Sequence, residues 1–563
     1  MKRLSFVFFL IATIALGISS CKQGPKIDIQ APKDALVVVY VNTPSISSKL
    51  SWEEIKQSEM FKEAYTESSD SLLRVLLQDP EKSGMDIKAA FVFFAKKQGK
   101  GGYSVFEGNV KDEAAFEKFN KETSKNAAVA KVGEGKVITL NQGVIVYWNS
   151  KQFAYVMNTP MLDAFSTVLN NTGEYKEPYS FPTDSLSAFG AATLAIKGDA
   201  SIGSDTRFAE MASSNGDIHF WVNGDSYLSG LSGGLLGVTK AGDLLKGNAS
   251  ATTLSFENGK ISLTSRSYVN EKLAGLYDKY PAKKLSADVL NRVPSKNVVA
   301  LIGMNYPPEG LKELVKLTGL DGIANGFLEK VGYSIDDFVK ANKGDMVIAL
   351  TDLSIKTETK TIGGEDGEEP FTYTNTTPDM KVLFATSIND KAAFDKLITT
   401  LSKEAGDMKA AAKDVTYQLD NNWFVAGNNA DFNAQFLKGG NSNLPFVSKL
   451  TGGSFGAFVD IQKILQVTKE SSKDSLAIEQ INLSTNMWQD AYMTTGEFKN
   501  NGVTSIVEIN LKDKNSNSLK QLHTYFGKME ALNKARRERQ PSFQIEPVPD
   551  EVDVIEAPKS SGN

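Results

Sequence analysis

The chain has 563 residues, with 62 Lys and Arg against 67 Asp and Glu and a formal net charge of −5, so no basic surface for nucleic acid is expected. At 41% hydrophobic and 9% aromatic it has the means to bury substantial cores. One cysteine and two histidines exclude disulfides, Cys–His catalysis and histidine-rich zinc sites, and no cofactor or metal site is expected.

Residues 1–20 read as an export signal: Lys2 and Arg3, then the apolar run "LSFVFFLIATIALGI", then small residues before Cys21. The apolar run is shorter than the roughly 20 residues that span a bilayer, so it is expected to be cut rather than retained. Ile18, Ser19 and Ser20 leading into Cys21 resemble the lipobox of bacterial lipoproteins, in which the cysteine is acylated and the signal is removed before it. Two or more acyl chains anchor stably, at about 0.8 kcal/mol per buried CH₂. Cys21 is therefore the expected lipidation site, and the membrane is reached through its acyl chains. Lys22 in the next position, where aspartate is the usual inner-membrane retention signal, points to the outer membrane, with periplasmic and surface faces both open. Removal of Lys2 and Arg3 leaves 60 basic against 67 acidic residues. Residues 21–30 form the tether.

Beyond the tether the same series of segments recurs in the same order. "PKDALVVVYVN" at 32–42 is echoed by "PSKNVVALIGMN" at 294–305, and "GNVKDEAAFEKF" at 108–119 by "TSINDKAAFDKL" at 386–397. "FAEMASSNGDIHFWVN" from Phe208 pairs loosely with "FVSKLTGGSFGAFVD" from Phe446, and "ATTLSFENGKISLTS" from Ala251 with "YMTTGEFKNNGVTSIVEI" from Tyr492. Two copies are expected, at 31–285 and 286–530. In the first, "ALVVVYVN" reads as a buried strand and the apolar spacing from Ser51 to Leu77 as helices. "IKAAFVFFA" and "GYSVFEGNV" read as strands about a Lys- and Gly-rich turn, and Asp112 as the N-cap of the helix "EAAFEKFNKE". The fold class is α+β: two tandem, mainly antiparallel sheets with packed helices, the first part of each copy in the strand and helix order of the ferredoxin-like motif. "TETKTIGGEDGEEPFTYTNTTPD" at 357–379 reads as a long exposed hairpin or insertion. Residues 531–563, charged and proline-rich, read as a disordered tail.

Chemical motifs are sparse. His219 in "GDIHFWVN" and His523 in "LKQLHTYF" sit among aromatic residues and read as packed or surface side chains, with a general base as the alternative for either. No G-x-S-x-G elbow, phosphate loop or dinucleotide fingerprint occurs. The acidic cluster Glu365, Asp366, Glu368 and Glu369 lacks the spacing of a calcium loop and reads as a solvated turn. "SGLSGGLLGVTKAGDLLKG" reads as a connection, with a mobile apolar lip as its sharper alternative.

"APKDALVVVYVNT", "MDIKAAFVFF" and "DEAAFEKF" together resemble an uncharacterised family of Bacteroidetes lipoproteins built on a domain of unknown function, the one numbered 4836. The resemblance covers most of residues 27–530 and implies the fold class and the envelope location, with no catalytic residues to carry over. The expected function is a non-catalytic binding or scaffolding lipoprotein with an envelope or extracellular partner. The alternatives are an envelope hydrolase using paired Asp and Glu residues, and a carrier of an apolar ligand, which needs a lipid-sized space between sheet and helices.

Overall fold

A computed structural model describes residues 29–67, 74, 77–124, 127–140, 143–159, 179–224, 241–362, 371–404 and 415–539. The chain is a mixed α/β protein organised on one large antiparallel sheet. Its strands are β1 (Val37–Val41), β2 (Phe91–Gln98), β3 (Gly101–Asn109), β4 (Ala130–Val132), β5 (Gly135–Thr139), β6 (Ile145–Trp148), β7 (Gln152–Asn158), β8 (Ile218–Asn223), β9 (Ala249–Glu257) and β10 (Lys260–Tyr268). They continue with β11 (Val298–Asn305), β12 (Asn342–Ile362), β13 (Phe371–Ile388), β14 (Thr416–Leu419), β15 (Trp423–Gly427), β16 (Phe455–Val459), β17 (Trp488–Thr495) and β18 (Gly502–Leu511).

Hydrogen-bonded neighbours give the spatial order 4-5-6-7-3-2-1-8-9-10-18-17-16-11-12-13-15-14, every pair antiparallel. Seventeen spacings of about 4.8 Å make a sheet about 80 Å wide before twist. The two halves of the sheet meet at β10 and β18, paired from Lys260↔Asn510 to Tyr268↔Gly502. The ferredoxin-like expectation is corrected here. β1 is hydrogen-bonded directly to β2, antiparallel, with β3 on the far side of β2, whereas that motif inserts its third strand between a parallel first and second. Short turns such as the one joining β2 and β3 favour antiparallel neighbours over crossovers.

Cross-strand register assigns each side chain to one of two faces. On the front of β1 to β7 lie α1 (Thr43–Lys49), α2 (Trp52–Lys56), α3 (Glu59–Glu67) and α4 (Glu113–Thr123). Asp112 caps α4 as expected, its carboxylate accepting the Ala115 N–H at 3.0 Å. Trp52, Phe61 and Phe116 from these helices close over Val39, Phe91, Phe106, Trp148 and Phe153 in one core. Phe116 stacks on Phe153 with ring centroids 5.1 Å apart. Each such fully buried side chain contributes roughly 1.5–3 kcal/mol. On the back, α5 (Thr183–Leu194) and α6 (Thr206–Ala212) cover Val38, Phe94, Val105, Val156 and Trp221. With both faces covered, β1 is the near-continuous apolar run read from its sequence.

The back of the second half is equally closed. α7 (Ala287–Leu290), α12 (Ala430–Leu437) and α13 (Val447–Leu450) bury Leu301, Val347, Leu383 and Val425. Its front carries α8 (Pro308–Leu317), α9 (Asp321–Lys330), α10 (Ile335–Ala341), α11 (Lys391–Glu404), α14 (Ile461–Ser471), α15 (Ser475–Met487) and α16 (Ser518–Arg539). Residues 531–539, assigned from the sequence to the tail, are the last turns of α16: the run to Arg539 keeps good helix formers, and Pro541 is the first breaker. α16 lies against α15 and reaches α2 and α3 of the first half, Lys520 meeting Glu54 of α2 at 2.6 Å.

The expected hairpin at 357–379 is an arm of β12 and β13. Its base is a register shift at Thr351/Ser354, where Asp352 takes a positive φ of 53° and accepts the Ser295 hydroxyl at 2.8 Å. Beyond it Ser354–Ile362 pairs only with Phe371–Asp379, and three threonine pairs, 357↔376, 359↔374 and 361↔372, share one side.

Candidate functional site

Cys21, the acidic cluster Glu365, Asp366, Glu368 and Glu369, and the glycine-rich segment as far as Lys240 lie outside the described residues. Both histidines are placed. His523 sits on α16, its Nε2 buried without a hydrogen bond, and burial lowers its pKa. His219 on β8 is fully buried. Its Nδ1 is 3.0 Å from the Thr253 hydroxyl, and the Tyr40 ring lies 5.8 Å away. Desolvation lowers its pKa to about 4, the charge of Asp217 opposing that shift, so the ring is neutral near pH 7.

Asp217, two residues earlier, is a buried carboxylate that accepts four hydrogen bonds. They come from the Ser45 hydroxyl at 2.7 Å, from Lys49 Nζ at 2.7 and 2.6 Å, and from the Phe256 N–H at 2.6 Å. The Ser45 proton is directed at a carboxylate that Lys49 already neutralises, so nothing here activates a nucleophile. The cluster ties α1 to β8 and β9, which is a structural task. Among the described residues no group of three or more His, Cys, Asp or Glu side chains is placed to hold a metal ion. A groove of about 600 Å³ over α4 is lined by Glu113, Glu117, Lys118, Lys121, Glu122 and Lys136, whose opposite charges largely pair with one another.

The feature that stands apart is apolar and was not read from the sequence. On the front of the second half, the side chains that alternate with the closed back core stay partly open to solvent. Ala300, Ile302 and Met304 of β11, Met346, Ile348 and Leu350 of β12, and Phe455, Ala457 and Val459 of β16 are all half-buried. Val382 of β13 and Met493 of β17 are 36% exposed. The helices above them are under-buried too: α9 and α14 have no fully buried residue, and α8 has only Pro308 and Gly310. Among the described residues, eight of the twelve exposed large apolar side chains belong to this side, including Leu311, Ile323, Phe327, Ile464 and Phe526. Chance scatter of single apolar residues does not produce such a concentration.

The helices stand at the two ends of the strands. α10 and α11 close the end marked by Asn342 and Ile388, with Ala341, Ala393 and Phe394 in a small core of their own. α14 closes the other end, where Lys463 reaches the Val298 carbonyl at 3.4 Å. Between them the floor from Met346 to Leu350 is about 13 Å wide, and it runs about 24 Å across the five spacings from β17 to β15. In the first half Trp52, Phe61, Phe116 and Phe119 fill this space. In the second, α8 and α14 bring Leu, Ile and Val, and the floor is left as a trough. Three methionines on or beside it, Met304, Met346 and Met493, give an adaptable surface. A recess of about 390 Å³ under α14 is polar, lined by Asn297, Asp352, Ser354, Lys463, Gln466 and Glu470 with Leu353 and Val467.

Among the described residues no helix is long and apolar enough to cross a membrane. Comparison with the curated proteins and with the solved structures finds no match. The profile of the domain of unknown function (DUF4836) matches residues 29–362, from the buried Ile29 through β12, and so crosses from one half of the sheet into the other. Because that match covers more than half of the sequence, the chain belongs to the DUF4836 family.

Proposed function

We propose that the protein is a bacterial envelope lipoprotein, anchored in the outer membrane through Cys21, that works without catalysis by binding an apolar ligand in the trough. The observation that carries this reading is the trough: three of the four sheet faces are closed by extended apolar cores, and the fourth has only a small core at one end. Large recessed apolar surface is costly to leave wet, at about 25 cal/mol per Å², and a bound apolar ligand removes that cost.

The same proposal treats 31–285 and 286–530 as two copies. Outward from the β10–β18 seam the strands run 10-9-8-1-2-3 on one side and 18-17-16-11-12-13 on the other. The matched segments fall at corresponding strands, and the "AAF" helices α4 and α11 each follow the third strand. One copy closes its front and serves as frame; the other leaves its front open and serves as binder. Ile29, eight residues beyond Cys21, enters the back core of the first half. The tether thus reaches at most about 29 Å from the acylated cysteine, on the face opposite the trough.

Two measurements test this. Cys21→Ala is expected to abolish labelling by an alkyne fatty acid and to release the protein from the membrane fraction; continued labelling would overturn the anchor. An environment-sensitive apolar dye such as bis-ANS is expected to bind the native protein, and Ile348→Lys to reduce its affinity at least tenfold. Equal dye binding by the folded variant would overturn the binding face.

A further inference from the structure

Resting on the binding-face reading, we propose that the trough holds an acyl chain of one anionic phospholipid taken out of a bilayer, with the basic end of α16 holding its head group. Three observations lead there. The floor is about 24 Å long, against about 15 Å for a chain spanning one leaflet of a hydrocarbon core about 30 Å thick. Its residues are recessed between α10 and α11 on one side and α14 on the other, so a flat bilayer surface does not reach Ile302 or Ile348, whereas a single extracted chain does. The third is charge. In a chain of net charge −5, α16 carries Lys520, Lys528, Lys534, Arg536, Arg537 and Arg539 against only Glu530 and Glu538.

That basic end lies against α15 and the turn joining it to α14, the helix that closes one end of the trough. Arg536 binds Asp474 at 2.6 Å, in the turn joining α14 to α15, and Gln480 of α15 donates to Asn533 at 2.8 Å. Lys528 and Arg539 stand exposed on the same helix. The recess under α14 does not hold the head group, because Asp352 and Glu470 line it and would repel an anion. An acyl chain on the floor with its phosphate toward α16 satisfies both the apolar and the electrostatic pattern.

The test uses the full mature chain with Cys21→Ser and vesicles containing pyrene-labelled phosphatidylglycerol or pyrene-labelled phosphatidylcholine, with lipid withdrawal read as rising monomer emission. Phosphatidylglycerol is expected to be withdrawn at least tenfold more than phosphatidylcholine. Ile348→Lys should abolish withdrawal, and the double variant Lys528→Glu with Arg539→Glu should remove the preference, each with a native circular-dichroism spectrum and cooperative melting. Withdrawal of neither lipid overturns the proposal, and if bis-ANS still binds and Ile348→Lys weakens it, the binding-face reading survives. Equal withdrawal of both lipids overturns the head-group assignment. A stable dimer in sedimentation that is broken by Ile348→Lys would overturn the proposal by assigning the trough to a second copy of the chain.

Discussion

His219→Phe is expected to remove an acid sensitivity built into the first half of the sheet. The imidazole titrates near 6.5 when exposed and near 4 when folded, because burial disfavours its charged form. Below pH 6.5 the unfolded chain therefore binds a proton that the folded chain refuses. Stability contributed by keeping His219 neutral is complete above about pH 6.5, falls by about 1.4 kcal/mol per pH unit as the pH drops, and levels off near pH 4 after a loss of about 3 kcal/mol. Phenylalanine has no proton to bind and retains an aromatic ring beside Tyr40, while losing the Thr253 hydrogen bond at every pH, a constant cost of about 1 kcal/mol. Urea unfolding followed by tryptophan fluorescence at pH 7 and pH 4.5 checks the difference: the wild type should lose about 2–3 kcal/mol more than His219→Phe between the two. Parallel losses, within about 0.5 kcal/mol, would refute a neutral buried imidazole.

Unequal cover of the two halves predicts unequal tolerance. Phe91→Lys places an ammonium in a fully buried site and should prevent folding, whereas Ile348→Lys on the half-open floor should cost about 1–2 kcal/mol, read as melting temperatures. Gly344→Ala should cost upwards of about 2 kcal/mol, since φ is +103° and the added Cβ would sit 2.0 Å from the Tyr306 carbonyl oxygen. The Glu54 carboxyl is held down to about 2, chiefly by its hydrogen bond to Lys520. That contribution is present above about pH 4.5 and lost as the pH falls toward 2. Both partners are largely exposed, so Glu54→Gln should cost no more than about 1 kcal/mol and show as faster amide exchange in the first turns of α16.

Strands and caps were legible because their signals are local. "ALVVVYVN" is apolar at every position because β1 is covered on both faces, and Asp112 reads as an N-cap because its carboxylate reaches an N–H three residues ahead. Strand order was not legible. "Strand, helix, strand, strand, helix, strand" describes the chain equally well whether β1 lies beside β2 or beside β3, and only long-range pairing with β2 and β8 decides it. The trough was invisible for a related reason. "VVALIGMN" is as apolar as "VVVYVN", and whether Ile302 is covered depends on side chains of α8 and α14, near and far in sequence. A weak signal did exist: the "AAF" helix of the first half is preceded by Trp52 and Phe61, and no tryptophan precedes α11 in the second. The last turns of α16, residues 531–539, read as tail because charge density in "KARRER" counts toward disorder while its helix propensity counts against it.

The seam between β10 and β18 has a consequence for how the chain is made. Lys260 and its partner Glu508 are separated by 248 positions, so the outer edge of β10 has no mate until nearly the whole chain has been synthesised. At about 5–20 residues per second that is a wait of roughly 12–50 s with a nine-residue row of unpaired amides and carbonyls on view. Such an edge recruits other strands in the meantime. A holding factor would then be needed during synthesis, and deletion of β18 alone should make the protein aggregate.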